Sequence, residues 1–339
     1  MQPSGIVLAL GAGGARGLAH IGVLQVLAEQ DIPVRAIAGS SIGAQVGALY
    51  ARLGDPAQIA RIAMGVDWKQ TLQLFLPDLG SGGLSSGRKI MEFLQTHLGA
   101  ARIEDLTLPY TAVATDLHSG EEVLLRRGRV VDAVRASISL PGLLSPFLHG
   151  ERLLVDGGIV NPVPFDVARA LYGGPVVAVA VHQGARGLSA SEMTPVPPPS
   201  WRTQLRRFLD QPWTHHAGPV RQWLEEQLAT PSVQDEHVND WRPRHVLTQA
   251  VNIAQAQMVR LRLQSIPPDL YLMPDVDALG PLEFYRAREA IAAGRAAALE
   301  QLADLFALAH RRPEAYGAPG TVPRVPMGGP VPPIDADNP

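Results

Sequence analysis

Gly39-Ser40-Ser41-Ile42-Gly43 stands between two apolar runs. A serine hydroxyl is a poor nucleophile unless it is held exposed beside a base. The G-x-S-x-G spacing does this mechanically: the chain turns sharply from strand to helix, and flanking glycines remove the Cβ atoms that would clash. Ser41 is therefore the candidate nucleophile, with Ser40 in the variable position. The plainer alternative is a turn of small residues with no chemistry, and the pentapeptide alone leaves both open.

A second glycine cluster, Gly11-Ala12-Gly13-Gly14-Ala15-Arg16-Gly17, follows the first apolar run directly. Successive glycines let backbone N–H groups approach and point at an anion. Three jobs compete for such a loop. A phosphate-binding Walker loop needs a terminal Gly-Lys-Ser/Thr, which is missing. A dinucleotide loop needs a third glycine where Arg16 stands, and an acidic residue about 20 positions on, where Ala38-Gly39 lies. The third job is an oxyanion hole for acyl transfer, with donors aimed where negative charge develops. Gly13 and Gly14, with Ile42 just after the nucleophile, would supply those N–H groups. Arg16 would pin the loop or add positive potential.

A base is then required. The chain has ten histidines, and none is marked: His20 falls in a helix, His118 in a turn, His149 beside a glycine and His182 at a strand end. The other candidate is a carboxylate. Asp156-Gly157-Gly158 closes a short apolar strand and precedes Asn161-Pro162-Val163-Pro164. A single carboxylate within hydrogen-bond reach can serve as general base. The competing reading of Asp156 is an Asx turn held by a local hydrogen bond. Spacing alone does not bring residues 41 and 156 together.

These residues need a scaffold, and the patterning supplies one. Residues 5–10 read as a buried parallel strand, residues 18–30 as an amphipathic helix, 34–38 as a second strand and 42–53 as a second helix stopped by Gly54 and Pro56. Strand–helix alternation of this kind begins an α/β domain with a parallel sheet, and its loops gather at one edge. Further helices are expected at 88–98, 130–137, 164–171, 246–263 and 282–310, the last as one long helix or a pair. Further strands are expected at 110–115, 121–125, 153–155, 175–181 and 270–273.

Composition narrows the function classes. The 339 residues suffice for one large or two ordinary domains at roughly 150 residues each, and 46% are hydrophobic. A net charge of −3, from 29 basic and 32 acidic residues, gives no field for nucleic acid. The chain has no cysteine, which excludes disulfides, thiolate metal sites and a cysteine nucleophile. There is no basic n-region before an apolar stretch, and no run approaches about 18 apolar residues. The expectation is a soluble, cytoplasmic chain that can visit a membrane surface.

Taken together, the residues resemble the patatin-like phospholipases, and most closely bacterial members related to the catalytic region of neuropathy target esterase. Four blocks carry the resemblance: Gly11–Leu24, Gly39–Gly43, Arg135-Ala136-Ser137 through Pro141 and Pro146, and Asp156-Gly157-Gly158 with Asn161-Pro162-Val163-Pro164. The order also matches, since the nucleophile follows the second strand rather than a later one. The resemblance implies a three-layer α/β/α sandwich with a mainly parallel central sheet. It implies a Ser41–Asp156 dyad without histidine, an oxyanion hole of Gly13, Gly14 and Ile42, and Arg16 in the family's basic position. Gly11, Gly17, Gly39, Gly43, Gly157 and Gly158 are the motif glycines. Ala12 replaces the first of three glycines common in the family, which loosens the assignment of individual N–H groups. Gly158 stands where many members have alanine.

The expected activity is hydrolysis of lipid carboxylic esters, of phospholipase A, lysophospholipase or esterase type, with no metal or other cofactor. A regulatory or lipid-binding protein on the same fold is the alternative, and the intact Ser41 and Asp156 argue against it. Head-group, chain length and oligomeric state are not encoded legibly. The resemblance covers about residues 5–183, the expected catalytic core. Residues 184–243 form a Pro- and Trp-rich insert holding four of the five tryptophans, expected to be a lid or membrane-interfacial cap, with a plain packed cap as the bland alternative. Deleting 195–243 is then expected to weaken liposome binding and spare small soluble esters. Residues 244–312 read as a helical part packing on the core, and 313–339 as a disordered tail.

Overall fold

Strand β1 (Ile6–Leu10) consists of five apolar residues, each at 0% exposure. Its run is continuous because both faces are covered: Ile6, Leu8 and Leu10 pack into one core, Val7 and Ala9 into the other. That pattern is characteristic of a parallel strand between helical layers. The computed structural model describes residues 5–75, 85–181 and 243–310, and the account below concerns these. The insert up to residue 242, the tail and His182 lie outside them.

β1 pairs in parallel with β2 (Val34–Ser40) on one side and β7 (Val176–Val179) on the other. β2 continues to β3 (Tyr110–Asp116), and β7 to β8 (Leu270–Leu272), so five parallel strands run β3-β2-β1-β7-β8. Three strands join at the β3 end through antiparallel pairings: β4 (Glu122–Leu125) and β6 (Arg152–Asp156) on β3, and β5 (Phe147–His149) on β6. One helical layer holds α1 (Ala19–Glu29), α2 (Ile42–Leu53), α3 (Pro56–Met64), α4 (Trp68–Phe75), α5 (Arg88–Leu98) and α6 (Val130–Ser137). It also holds α9 (Ala287–Glu300) and α10 (Leu302–Ala309). The opposite layer holds α7 (Phe165–Tyr172) and α8 (Pro243–Ser265), whose Phe165, Val167 and Val259 cover Val7 and Ala9. The result is the three-layer sandwich with a mainly parallel sheet.

The C-terminal part is not an appendage. β8 extends the central sheet, and α9 lies on α1 so closely that a Cβ at Gly294 would collide with the Ala19 carbonyl, and one at Gly22 with that of Ile291.

The expected elements match the observed ones closely, with three additions. β5, α3 and α4 are not legible in the patterning. α3 illustrates the reason: Gly54, at φ 67°, ends α2, but Asp55 then accepts hydrogen bonds from the N–H groups of Ala57 and Gln58 and Pro56 opens a new helix. The residues that stop one helix are the cap and first turn of the next. The 282–310 stretch is a helix pair joined at Gln301.

β3 organises the remainder. β4 occupies one of its edges over Ala112–Thr115. β2 pairs with β3 up to Ser40↔Val113, and β6 pairs with it from Asp156↔Ala114. A strand has only two edges, so β2 and β6 share the other one. Their carboxyl ends meet head to head, one residue apart along β3.

Candidate active site

That abutment places Ser41 beside Asp156. Ser41 leaves β2 and precedes α2 with φ 54° and ψ −125°, a conformation that costs a non-glycine residue roughly 1–3 kcal/mol. The turn is tight: a Cβ on Gly39 would run into the Gly43 carbonyl, and one on Gly43 into that of Leu10. Ser41 Oγ donates to Asp156 Oδ2 at 2.5 Å. The Ser41 N–H donates to Ser137 Oγ at 3.0 Å.

Asp156 makes both contacts that its sequence context left open. Its Oδ1 accepts the Gly158 N–H at 2.7 Å, which forms the local turn, while Oδ2 faces Ser41. Its backbone is held as well: the N–H donates to Ser139 O at 3.0 Å, and its carbonyl accepts from Thr115 Oγ1 at 2.9 Å. The side chain is buried, at 3% exposure. Burial disfavours the carboxylate and raises its pKa from 3.8 to about 6, while the bonds from Ser41 and Gly158 pull it back down. A base tuned upward in this way ionises near neutrality and takes a proton more readily than a solvated aspartate.

The glycine loop lies against the residues that follow each partner. A Cβ on Gly17 would enter the Ile42 side chain, and one on Gly158 would sit 2.9 Å from Ala12 Cβ. The loop's outer N–H groups are used: Gly11 donates to Val179 O, Ala12 to Pro162 O and Ala15 to Pro281 O. The N–H groups of Gly13, Gly14 and Ile42 have no acceptor among the described residues, as an oxyanion hole requires. Gly14 sits at φ 61°, where a Cβ would also strike the Pro281 carbonyl.

Arg16, expected either to pin the loop or to add positive potential, bonds to the far end of the chain. The guanidinium is buried, and its Nε donates to Leu279 O at 2.7 Å, with Asp277 and Glu283 nearby. Desolvation lowers its pKa and these two acids raise it. Its cationic head therefore faces the 277–283 segment, and the loop owes its donors to the backbone. Asp277 and Glu283, the acids it faces, stand far away in the chain, so the signal is not local.

The described histidines stand elsewhere. Among the described residues no imidazole is bonded to Ser41 or Asp156. His20 is fully buried, Nε2 bonding Gly11 O at 2.8 Å, and burial lowers its pKa to about 4. It is a neutral prop beneath the glycine loop. His118 follows β3 in a turn, and His149 ends β5.

Sequence reasoning missed the polar frame around the pair. Ser40 Oγ donates to Asn161 O, and Asn161 Nδ2 donates to Glu122 and Asp166. Arg262 on α8 pairs with Asp166, and Gln255 on the same helix donates to Gly158 O at 3.0 Å. Among the described residues no group of three or more His, Asp or Glu could hold a metal, and no helix is long and apolar enough to cross a membrane.

Known proteins resemble the chain over most of its length. The family model described as patatin-like phospholipase matches residues 8–169. An uncharacterized NTE family protein of Mycobacterium tuberculosis is 33% identical over 329 residues, covering 88% of this chain and 91% of that protein. A second uncharacterized NTE family protein of that organism is 32% identical over 297 residues, covering 86% of this chain and 45% of the relative. Patatin-like phospholipase domain-containing protein 7 of Rattus norvegicus is 38% identical over 191 residues, which is 53% of this chain and 14% of that protein. Among solved structures, VipD from Legionella pneumophila has a TM-score of 0.50 at 14% identity, covering 89% of this chain and 67% of that one, a likeness of fold alone. By the match of residues 8–169 and by its near full-length relatives, the chain belongs to the patatin-like phospholipase family.

Proposed function

We propose that this protein is a serine acyl hydrolase that cleaves lipid carboxylic esters, of phospholipase A, lysophospholipase or esterase type, through Ser41 and Asp156. The observation that carries the proposal is the 2.5 Å contact between Ser41 Oγ and a buried Asp156 carboxylate, made at a strained strand–helix turn. Asp156 Oδ2 takes the hydroxyl proton as Ser41 Oγ attacks the ester carbonyl carbon. The carbonyl oxygen becomes an oxyanion, received by the N–H groups of Gly13, Gly14 and Ile42 with the positive end of the α2 dipole behind them. Collapse breaks the bond to the leaving alcohol, which receives the proton from Asp156. Water then attacks the acyl-enzyme, gives a proton to Asp156, and the acid leaves as Ser41 recovers its own. No histidine or metal enters these steps. The family name supports a lipid substrate, and the insert at 184–243 is the candidate for contact with a lipid surface. The test is a fluorophosphonate probe: it labels the native protein and not Ser41→Ala, and equal labelling of the two refutes the assignment.

A further inference from the structure

The place where β2 ends holds an irregularity that the dyad does not use. In the β2–β3 ladder the Ile37 N–H donates to Pro109 O. Parallel pairing repeats every two residues, so the register Ser40↔Val113 would give Ser41 N–H to Val113 O. That bond is not made. Ser41 N–H donates to Ser137 Oγ at 3.0 Å, and Ser137 Oγ donates in turn to Val113 O at 2.5 Å. Ser137, the last residue of α6, is at 0% exposure. A hydroxyl has one proton to give and lone pairs to accept with, so one side chain can bridge both groups.

We propose that Ser137 is a positioning residue for the nucleophile, and that its hydroxyl is spliced into the ladder to release Ser41 from β2. A direct bond to Val113 O would draw Ser41 toward extended backbone. The inserted hydroxyl holds the amide one atom further from β3 and satisfies it there, so Ser41 can keep φ 54° with Oγ aimed at Asp156. The same end of α6 holds the other partner, since Ser139 O accepts the Asp156 N–H. Arg135, one turn earlier and buried, donates to Ser139 Oγ and to the carbonyls of Ser86 and Ser145, which anchors the clamp. This inference rests on the reading of Ser41 as nucleophile.

The experiment uses the full chain with Ser137→Ala and the volume-keeping Ser137→Cys, whose thiol is a weak donor and acceptor. Read on the folded fraction, fluorophosphonate labelling of Ser41 and kcat on a soluble p-nitrophenyl ester are expected to fall roughly tenfold to a hundredfold in Ser137→Ala, the range for a buried group left unpaired. KM is expected to stay unchanged, with Ser137→Cys falling between wild type and alanine. Either variant, folded and labelling at the wild-type rate, overturns the proposal, even if its melting temperature is lower. Should Ser137→Ala not fold, Ser137→Cys gives the same reading. Ser41→Ala run alongside separates the two claims: labelling there overturns the nucleophile itself.

Discussion

Replacing Asp156 with asparagine should abolish activity and stabilise the fold. The carboxyl is buried at 3% exposure and its pKa is raised from 3.8 to about 6, chiefly by desolvation. A raised acid pKa means that the neutral form favours folding. That contribution is full below pH 3.8 and is lost as pH rises through about 6. Above it, keeping the buried carboxylate ionised costs about 3 kcal/mol, at about 1.4 kcal/mol for each factor of ten. Asparagine has nearly the same shape, still accepts the Gly158 N–H and carries no charge. Asp156→Asn is therefore expected to gain about 3 kcal/mol at pH 8 and about half of that at pH 5. With an unfolding entropy of roughly 0.5–0.7 kcal/mol/K for a body of this size, the gain at pH 8 raises Tm by about 4–6 °C. Ester turnover should fall by roughly three to four orders of magnitude, as for removal of other catalytic bases. Thermal melts at the two pH values and initial rates on a soluble ester measure both effects. A variant no more stable than wild type at pH 8, or a gain that does not shrink at pH 5, refutes the desolvation reasoning. Near-full turnover refutes the role of the base.

The pH–rate profile of the wild-type protein should show an acid limb, with kcat/KM falling tenfold per pH unit below about 6 as Asp156 becomes protonated; a limb near 4 would indicate a solvated carboxylate. Gly294→Ala should lower stability by roughly 1–3 kcal/mol, because its Cβ would meet the Ala19 carbonyl where α9 crosses α1. Urea denaturation monitored by circular dichroism checks this, and an unchanged midpoint would mean that the two helices separate easily.

Much of this architecture is legible in the residues because its signals are local. β1 is readable as a run apolar on both faces, and Ser41 as the residue between a strand, two glycines and a helix start. The pairing of Ser41 with Asp156 is different. It depends on β6 running antiparallel along the same edge of β3 that β2 uses, and no periodicity within either segment encodes a shared edge. Arg16 was ambiguous for the same reason, since its acceptor, Leu279, arrives from the other end of the chain. In the sequence Ser137 is a residue of a family-type block without a task of its own. Its hydrogen bonds to Ser41 N–H and Val113 O exist only once α6 has docked beside the sheet.

The head-to-head meeting of β2 and β6 has a consequence for how much the chain can change in length. The two strands are not bonded to each other; each is ruled by β3, at Val113 and Ala114. Loops between residues 42 and 155 that do not touch α6 can thus lengthen or shorten without altering the gap between Ser41 and Asp156. One residue inserted into β3 between those two positions would part them by about 3.3 Å, more than a hydrogen bond can span. Tolerance to insertion should therefore be broad in the intervening loops that do not touch the α6 clamp, and nearly absent at that peptide bond of β3.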